Sequence, residues 1–373
     1  MVRSPDPGLL TDRYERVTAR IPLARRSNTL RSSLGLGEKL FASSDERHFA
    51  EAIEQGLEQV EEGLSAEMSF ADNLADVTSR YLLDAGGKRI RPVLTLLTAQ
   101  LGDGNNSDVV TAAEAMEITH LASLYHDDVM DGALMRRGVP SAQTVWGNSV
   151  AILTGDLLFA RAGKLIASLG PRATELQAEV FERLCLGQLH ETIGPQDGED
   201  PIAHYIQVLA DKTGSLISAA AEVGVVFSNA PKEYRQPVVT FGEKIGVAFQ
   251  LIDDVIDLSS ETAETGKVAG TDLRSGVATL PLLYLRRLAE TDADAAALLI
   301  RIEKDSAAKN EDVDDAELHA AIAELREHAV TRQTLEEAHR WSRAAVEALV
   351  PLPEGPVKKA LTRFAETIVE RSN

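Results

Sequence analysis

Cysteine is almost missing from this chain of 373 residues. The single Cys185 permits no intramolecular disulfide, which fits a reducing compartment, and within an apolar helical stretch it reads as a small buried residue. Long apolar runs are missing as well. None approaches the ~20 residues of a membrane-spanning helix, and the N-terminus lacks the apolar segment of a secretion signal, so a cytoplasmic protein is expected. Positive charge is scarce, with 38 Lys and Arg against 58 Asp and Glu and a net charge of -20, which argues against nucleic acid as a partner. Strand patterning is nearly absent, and so are the periods of the common repeat families.

What is present is helical periodicity. Ala50, Ile53, Leu57, Val60 and Leu64 recur at three- and four-residue spacing in a run over 45–85 that Gly86-Gly87 ends. Similar patterns cover 93–101, 108–131, 147–169, 174–191, 202–229, 238–258 and 278–290, followed by a charged, Ala-rich C-terminal third. An all-α fold is expected. Length alone suggests two or three domains, yet residues 87–281 all bear on one site, which predicts a single large helical domain over 46–373. Residues 1–45 are Arg-rich and broken by Pro and Gly, and read as a basic, mobile arm. A solvated tail and a weak contact with anionic lipid are the two readings of that arm.

The chemistry concentrates in His120 to Gly138. On a helix Asp127 and Asp131 lie one turn apart on one face and can converge on a hard cation, while Asp128 points elsewhere. Magnesium suits such a pair, because it takes one or two carboxylates together with substrate phosphates. Arg136-Arg137 follow, bracketed by Gly132 and Gly138, with the planar donor fork that fits phosphate oxygens. An acidic helix end before a basic turn is the plain alternative. A second Asp-Asp-x-x-Asp run, Asp253, Asp254 and Asp257, on another helical segment decides between them, since two such clusters can clamp a polyphosphate through several metal ions. In an acidic chain, anion binding then requires a divalent ion and local cations. Lys88 and Arg91, three apart after Gly86-Gly87, can hold one anion with backbone N–H groups alongside. Lys212-Thr213 offers a cation and a hydroxyl dipole, and Gly266-Lys267 with Gly270-Thr271-Asp272-Leu273-Arg274 reads as a flexible loop carrying a cation.

Taken together, these residues resemble the trans-polyprenyl diphosphate synthases. The Gly-Lys-Arg-x-Arg-Pro box at 87–92, both Asp-rich motifs, Arg136-Arg137-Gly138, Lys212-Thr213, Phe249-Gln250 and the stretch at 266–274 carry the resemblance in order and spacing. It implies an all-α isoprenoid synthase fold, a deep central cavity, a homodimer, and Mg2+ at several positions per site with Mn2+ as a substitute. Asp127, Asp131 and Asp253 would bind the metal, supported by Asp128, Asp254 and Asp257. Arg136, Lys212, Gln250 and Lys267, with Thr213, would hold the allylic diphosphate. Gly87, Lys88, Arg91, His120 and Arg137 would hold isopentenyl diphosphate.

The reaction implied is ionisation of the allylic diphosphate, attack by the isopentenyl double bond and loss of a proton, with Thr213 and Gln250 presenting oxygen dipoles to the cation. The growing tail would run from Asp127 past Ser123 and Ala122, which are small, towards Ala115 and Ala112, with Met116 and Thr119 able to narrow the path. An open floor predicts a long product and some contact with membrane during its release. A short-chain (farnesyl or geranylgeranyl) synthase, a class I terpene cyclase and a non-catalytic subunit of a heteromeric synthase are the other readings. The complete second Asp motif speaks against the cyclase, and the retention of both motifs against the silent subunit.

Overall fold

Gly, Pro and the acidic caps cut the chain into helices. The computed structural model describes residues 44–259, 269–274, 276–306 and 315–370. The arm expected over 1–45, apart from its last two residues, and Lys267 lie outside that set. The all-α expectation is borne out: helices dominate the described residues, with one two-stranded ribbon. The chain divides into two compact units, one formed by residues up to Val180 with Leu216–Val239 and Pro351–Phe364, the other by Phe181–Ser215, Thr240–Val350 and Ala365–Asn373.

In the first unit, α1 (Ser44–Glu67) and α2 (Asn73–Asp84) replace the single run expected over 45–85. Asp72 is the reason. Its carboxylate accepts the N–H groups of Leu74 and Ala75 at 3.0 and 2.9 Å, and such a cap starts a new helix. After α3 (Ile90–Ala99) comes α4 (Ser107–Met130), which Asn106 caps through the Val109 N–H at 3.0 Å. Small or apolar residues surround α4 on every side, with Ala112, Ala113, Ala115, Ile118, Leu121 and Ala122 fully buried, as befits a central helix.

A ribbon of β1 (Met135–Arg136) and β2 (Val139–Pro140), then α5 (Ala142–Trp146), α6 (Asn148–Ser168) and the start of α7 (Pro171–Ile193), follow α4. Later in the chain, α9 (Ser215–Phe227) supplies most of its residues to this unit. Thr95 and Thr98 of α3 donate to the carbonyls of Ala220 and Ala221 on α9 at 2.8 and 2.9 Å. That approach needs Gly224, where a Cβ would lie 2.1 Å from Thr98 Oγ1 and 2.3 Å from the Thr95 carbonyl. Ala112, Ala115 and Met116 of α4 pack with Ile166, Leu176, Leu216, Ala219 and Val223 into one apolar cluster.

The second unit holds α8 (Pro201–Leu209), the greater part of α10 (Arg235–Ser259), α11 (Thr271–Arg274), α12 (Leu280–Ala289), α13 (Ala293–Ser306), α14 (Asp315–Glu327) and α15 (Ala329–Ala348); α16 (Pro356–Glu370) ends the described chain. Its core joins Leu258, Leu273, Leu285, Leu298, Ile302, Ile322 and Leu325. The helix expected without a break over 202–229 is instead interrupted by a π turn at Ala210–Gly214. Cys185, expected to be buried, is exposed. It shares a face of α7 with Phe181, Leu189 and Ile193, four residues apart in turn, and these too are exposed. Apolar periodicity marks a contact face without saying whether the chain itself covers it.

Candidate functional site

In the first unit the site starts from a strained loop. Gly86 and Gly87 adopt φ of 101° and 143°, and Arg89, which caps α3, sits at φ 50° in the left-handed region. Arg89 is 6 % exposed and pairs with Glu61 and with buried Glu117 (Nη1 to Oε1 3.4 Å), while Nη1 also donates to the Gly86 carbonyl at 3.1 Å. It is therefore a staple that fixes the loop. Gly87 is needed for room as well as for φ, because a Cβ would lie 2.7 Å from Arg89 Nη1 and 2.8 Å from Arg137 Nη2.

Arg137 arrives from the ribbon. Met135 pairs with Pro140 and Arg136 with Val139, leaving Arg137 (φ 53°) and Gly138 (φ 77°) as a two-residue turn with both φ positive, the type whose twist matches antiparallel strands. Tyr81 secures the ribbon by donating to the Pro140 carbonyl at 2.7 Å, and Tyr125 ties α4 to α2 through the Thr78 carbonyl. Arg137 donates to the carbonyls of Leu82 (2.7 Å) and Gly86. Burial pulls its pKa down to about 10, against the pull of Glu117, so it stays charged near neutrality.

Arg91 behaves in the same way, lowered to about 10 by burial against Glu117 and Asp127, and its buried Nε has no hydrogen-bond partner. His120 lies in the field of Arg91, Arg137, Arg136 and Arg89, and burial together with those cations holds its imidazole neutral. Arg91, Arg137 and His120 thus come together, beside Asp127. Lys88 is exposed on the same loop, just before α3 starts at Ile90. The sequence reading assigned no role to Arg89, Glu61 or Glu117. Glu117, an acid among the buried residues of α4, was the available signal.

Among the Asp residues of the first motif, Asp127 is half-buried and Asp131, the cap of α4, is exposed, its N–H donating to the Asp127 carbonyl at 2.8 Å. Asp128 is fully buried and receives Arg136 at 2.7 Å (Nε) and 2.6 Å (Nη2); burial raises its pKa, with Arg136 opposing. Asp128 and Arg136 therefore hold each other. Asp127 and Asp131 supply two carboxylates at one-turn spacing, the number Mg2+ takes when phosphate oxygens complete its shell. Among the described residues no three His, Cys, Asp or Glu side chains form a metal-holding group by themselves.

The expected tail face divides. Ser123 and Thr119 stand four and eight residues before Asp127; Thr119 accepts from Gln177 of α7 at 3.0 Å, and Met116 enters the apolar cluster below. Ala122 shares its side of α4 with His126, whose ring fills the space at Gly155 of α6. Ala122, Thr119 and Met116 are all buried.

In the second unit, Asp254 is buried and accepts the Tyr205 hydroxyl at 2.6 Å; burial pushes its pKa up to about 8, with Asp272 and Asp253 adding to the rise. Asp257 accepts the Asp272 N–H at 3.1 Å and its carbonyl takes the Gly270 N–H at 2.9 Å, so the 269–274 stretch returns to the motif. Asp253 is half-buried on the same helix. Lys212 pairs with Glu191 of α7, and Thr213 donates to Gln250 Oε1 at 3.4 Å. Tyr205 was missed by the sequence reading, since an aromatic on a helix usually signals core.

This helical architecture is the isoprenoid synthase fold. Residues 72–318, more than half of the chain, match the profile of the polyprenyl synthetase family, and the chain belongs to that family. It is 40% identical over 348 residues to a nonaprenyl diphosphate synthase of Mycobacterium tuberculosis, covering 93% of this chain and 99% of that one. A polyprenyl synthase of Caulobacter crescentus, solved with calcium and isoprenyl diphosphate, superposes with a TM-score of 0.79 at 30% identity, covering 88% of this chain and 98% of that one. A geranylgeranyl pyrophosphate synthase of Corynebacterium glutamicum, also solved with calcium and isoprenyl diphosphate, gives 0.74 at 38% identity, covering 89% and 99%. The protein is a prenyltransferase of a family that works with a divalent metal. No helix among the described residues is long and apolar enough to cross a membrane.

Proposed function

We propose that this protein condenses isopentenyl diphosphate with an allylic diphosphate in successive head-to-tail additions, giving a long all-trans polyprenyl diphosphate and pyrophosphate. The observation that carries the reading is the gathering of half-buried Arg91 and Arg137, charged near neutrality, around a neutral His120 beside Asp127 in a chain of net charge -20. Two guanidinium groups brought together at a partly shielded site favour a polyanionic ligand.

Arg91, Arg137, His120 and Lys88 bind isopentenyl diphosphate, with Gly87 leaving room for the guanidinium groups. Neutral His120 donates or accepts a hydrogen bond without adding charge. Asp127, Asp131 and Asp253 would hold Mg2+, which would supply the positive charge that makes pyrophosphate a better leaving group in allylic C–O ionisation. Asp128 holds Arg136 in place for the allylic diphosphate, Asp254 is steadied by Tyr205, and Asp257 by the backbone of Asp272. Lys212 leaves Glu191 for the allylic diphosphate, and Lys267, outside the described residues, joins it. Thr213 and Gln250 turn oxygen dipoles towards the allylic cation. The proton lost at the end of each addition goes to the departing pyrophosphate.

The nonaprenyl relative and the small residue at Ser123 favour the long product; the geranylgeranyl relative keeps a short product as the second reading. The exposed stripe of Phe181, Cys185, Leu189 and Ile193 supports a homodimer. Charged, water-soluble substrates fit a cytoplasmic enzyme. The test is incubation of the purified protein with labelled isopentenyl diphosphate, farnesyl diphosphate and Mg2+, resolving products by chain length. A magnesium-dependent ladder ending beyond geranylgeranyl is expected. A stop at geranylgeranyl selects the second reading, and no elongation from any allylic starter overturns the proposal.

A further inference from the structure

The π turn at Ala210–Gly214 is the least expected feature of the second unit. Such turns add one residue to the helical ladder, are rare, and collect at functional sites. The local residues Ala-Asp-Lys-Thr-Gly carry no preference for one, so tertiary contacts must hold it. Those contacts converge on Asp211, whose side chain is 13% exposed. Arg183 of α7 reaches Asp211 Oδ1 through Nε at 2.9 Å and Nη2 at 2.8 Å. Its Nη1 lies 3.4 Å from Glu243 Oε2 on α10, and Nη2 donates to the Ala210 carbonyl at 3.5 Å. Gln207 occupies the other Asp211 oxygen at 2.8 Å.

Two glycines give the turn its room. A Cβ on Gly187 would lie 2.9 Å from the Lys212 nitrogen, and one on Gly214 3.1 Å from the Glu243 carbonyl. From this seat the next two side chains leave in different directions, Lys212 to Glu191 and Thr213 to Gln250.

We infer that Arg183 and Asp211 are positioning residues that lock the π turn and so present Lys212 and Thr213 to the allylic diphosphate; this rests on the function proposed above. This pair, with two guanidinium N–H groups on one carboxylate oxygen, does two things. It fixes the backbone on the N-terminal side of Lys212, and it neutralises a carboxylate that would otherwise compete with the diphosphate for the neighbouring ammonium.

The experiment is steady-state kinetics of the full-length protein at saturating Mg2+, varying each substrate in turn, for wild type, Arg183→Gln, Arg183→Lys, Asp211→Asn and the double variant Arg183→Gln/Asp211→Asn. A misplaced binding group costs on the order of ten- to a hundred-fold in activity. Arg183→Gln is expected to raise KM for the allylic substrate by about that factor and to lower kcat, with KM for isopentenyl diphosphate in place. Arg183→Lys recovers part of the loss, and the double variant is no worse than Arg183→Gln. If Arg183→Gln alters neither allylic KM nor kcat, or shifts both substrates equally, the inference is overturned. Should Arg183→Gln fail to fold, unchanged allylic kinetics in Asp211→Asn overturn it instead. A wild-type protein without magnesium-dependent condensation overturns the function itself, and the positioning role with it.

Discussion

Replacing Gly87 by alanine probes the anion pocket at its tightest point. At φ 143° an L side chain is strained, by roughly 1–2 kcal/mol. The new methyl would stand 2.7 Å from Arg89 Nη1 and 2.8 Å from Arg137 Nη2. Both are ends of long side chains and can move, but Arg137 then gives up its donation to the Leu82 or Gly86 carbonyl, a charged hydrogen bond worth about 1.5–3 kcal/mol. The total is about 2.5–5 kcal/mol if nothing else rearranges. Thermal melting should therefore drop by several degrees. KM for isopentenyl diphosphate should rise on the order of ten-fold or more, because Arg137 is displaced from its seat against Gly86. Calorimetry and substrate-varied kinetics give the two readouts. A Gly87→Ala protein that melts lower yet binds isopentenyl diphosphate as tightly as wild type would refute the placing of this diphosphate at Arg137.

Glu114, buried against Gly63 with Glu67 near, has its pKa raised from 4.5 to about 7 by burial first and Glu67 second. The folded state holds this proton more tightly than the unfolded chain, so its contribution is complete below pH 4.5 and is lost as pH rises through 7. Partial solvation reduces the effect to about 1–2 kcal/mol. Glu114→Gln should thus match wild type near pH 4.5 and melt a few degrees higher at pH 8; a lower melting point at pH 8 would contradict this. Ser123→Phe should shorten the product while Ala122→Phe, against the Gly155 side of α4, should chiefly destabilise by about 1–3 kcal/mol. Product analysis and melting of the two variants check that division, and an unchanged product with Ser123→Phe would remove the tail from this face.

The helices were legible because apolar periodicity is a local property: α4, α6 and α7 fall within a few residues of their expected limits. What could not be read were the places where distant residues decide. The π turn depends on Arg183, 28 residues from Asp211 in sequence, and the staple at Arg89 depends on Glu61 and Glu117. Cys185 shows a related limit, since the pattern that marks an apolar face is the same whether the face is covered or open. The pair Asp127 and Asp131 could be separated from Asp128 by helix geometry alone, but the partner of Asp128 lay eight residues ahead, across a turn whose type only the strand pairing defines.

That turn has a consequence for how two identical neighbours acquire different duties. Arg136 and Arg137 are chemically the same, and the backbone sorts them: the one still in the strand goes to a carboxylate, the one in the left-handed turn to carbonyl oxygens. With a two-residue loop there is no slack to trade between them. One added residue would break the pairing that tells them apart, so here length, rather than composition, carries the information.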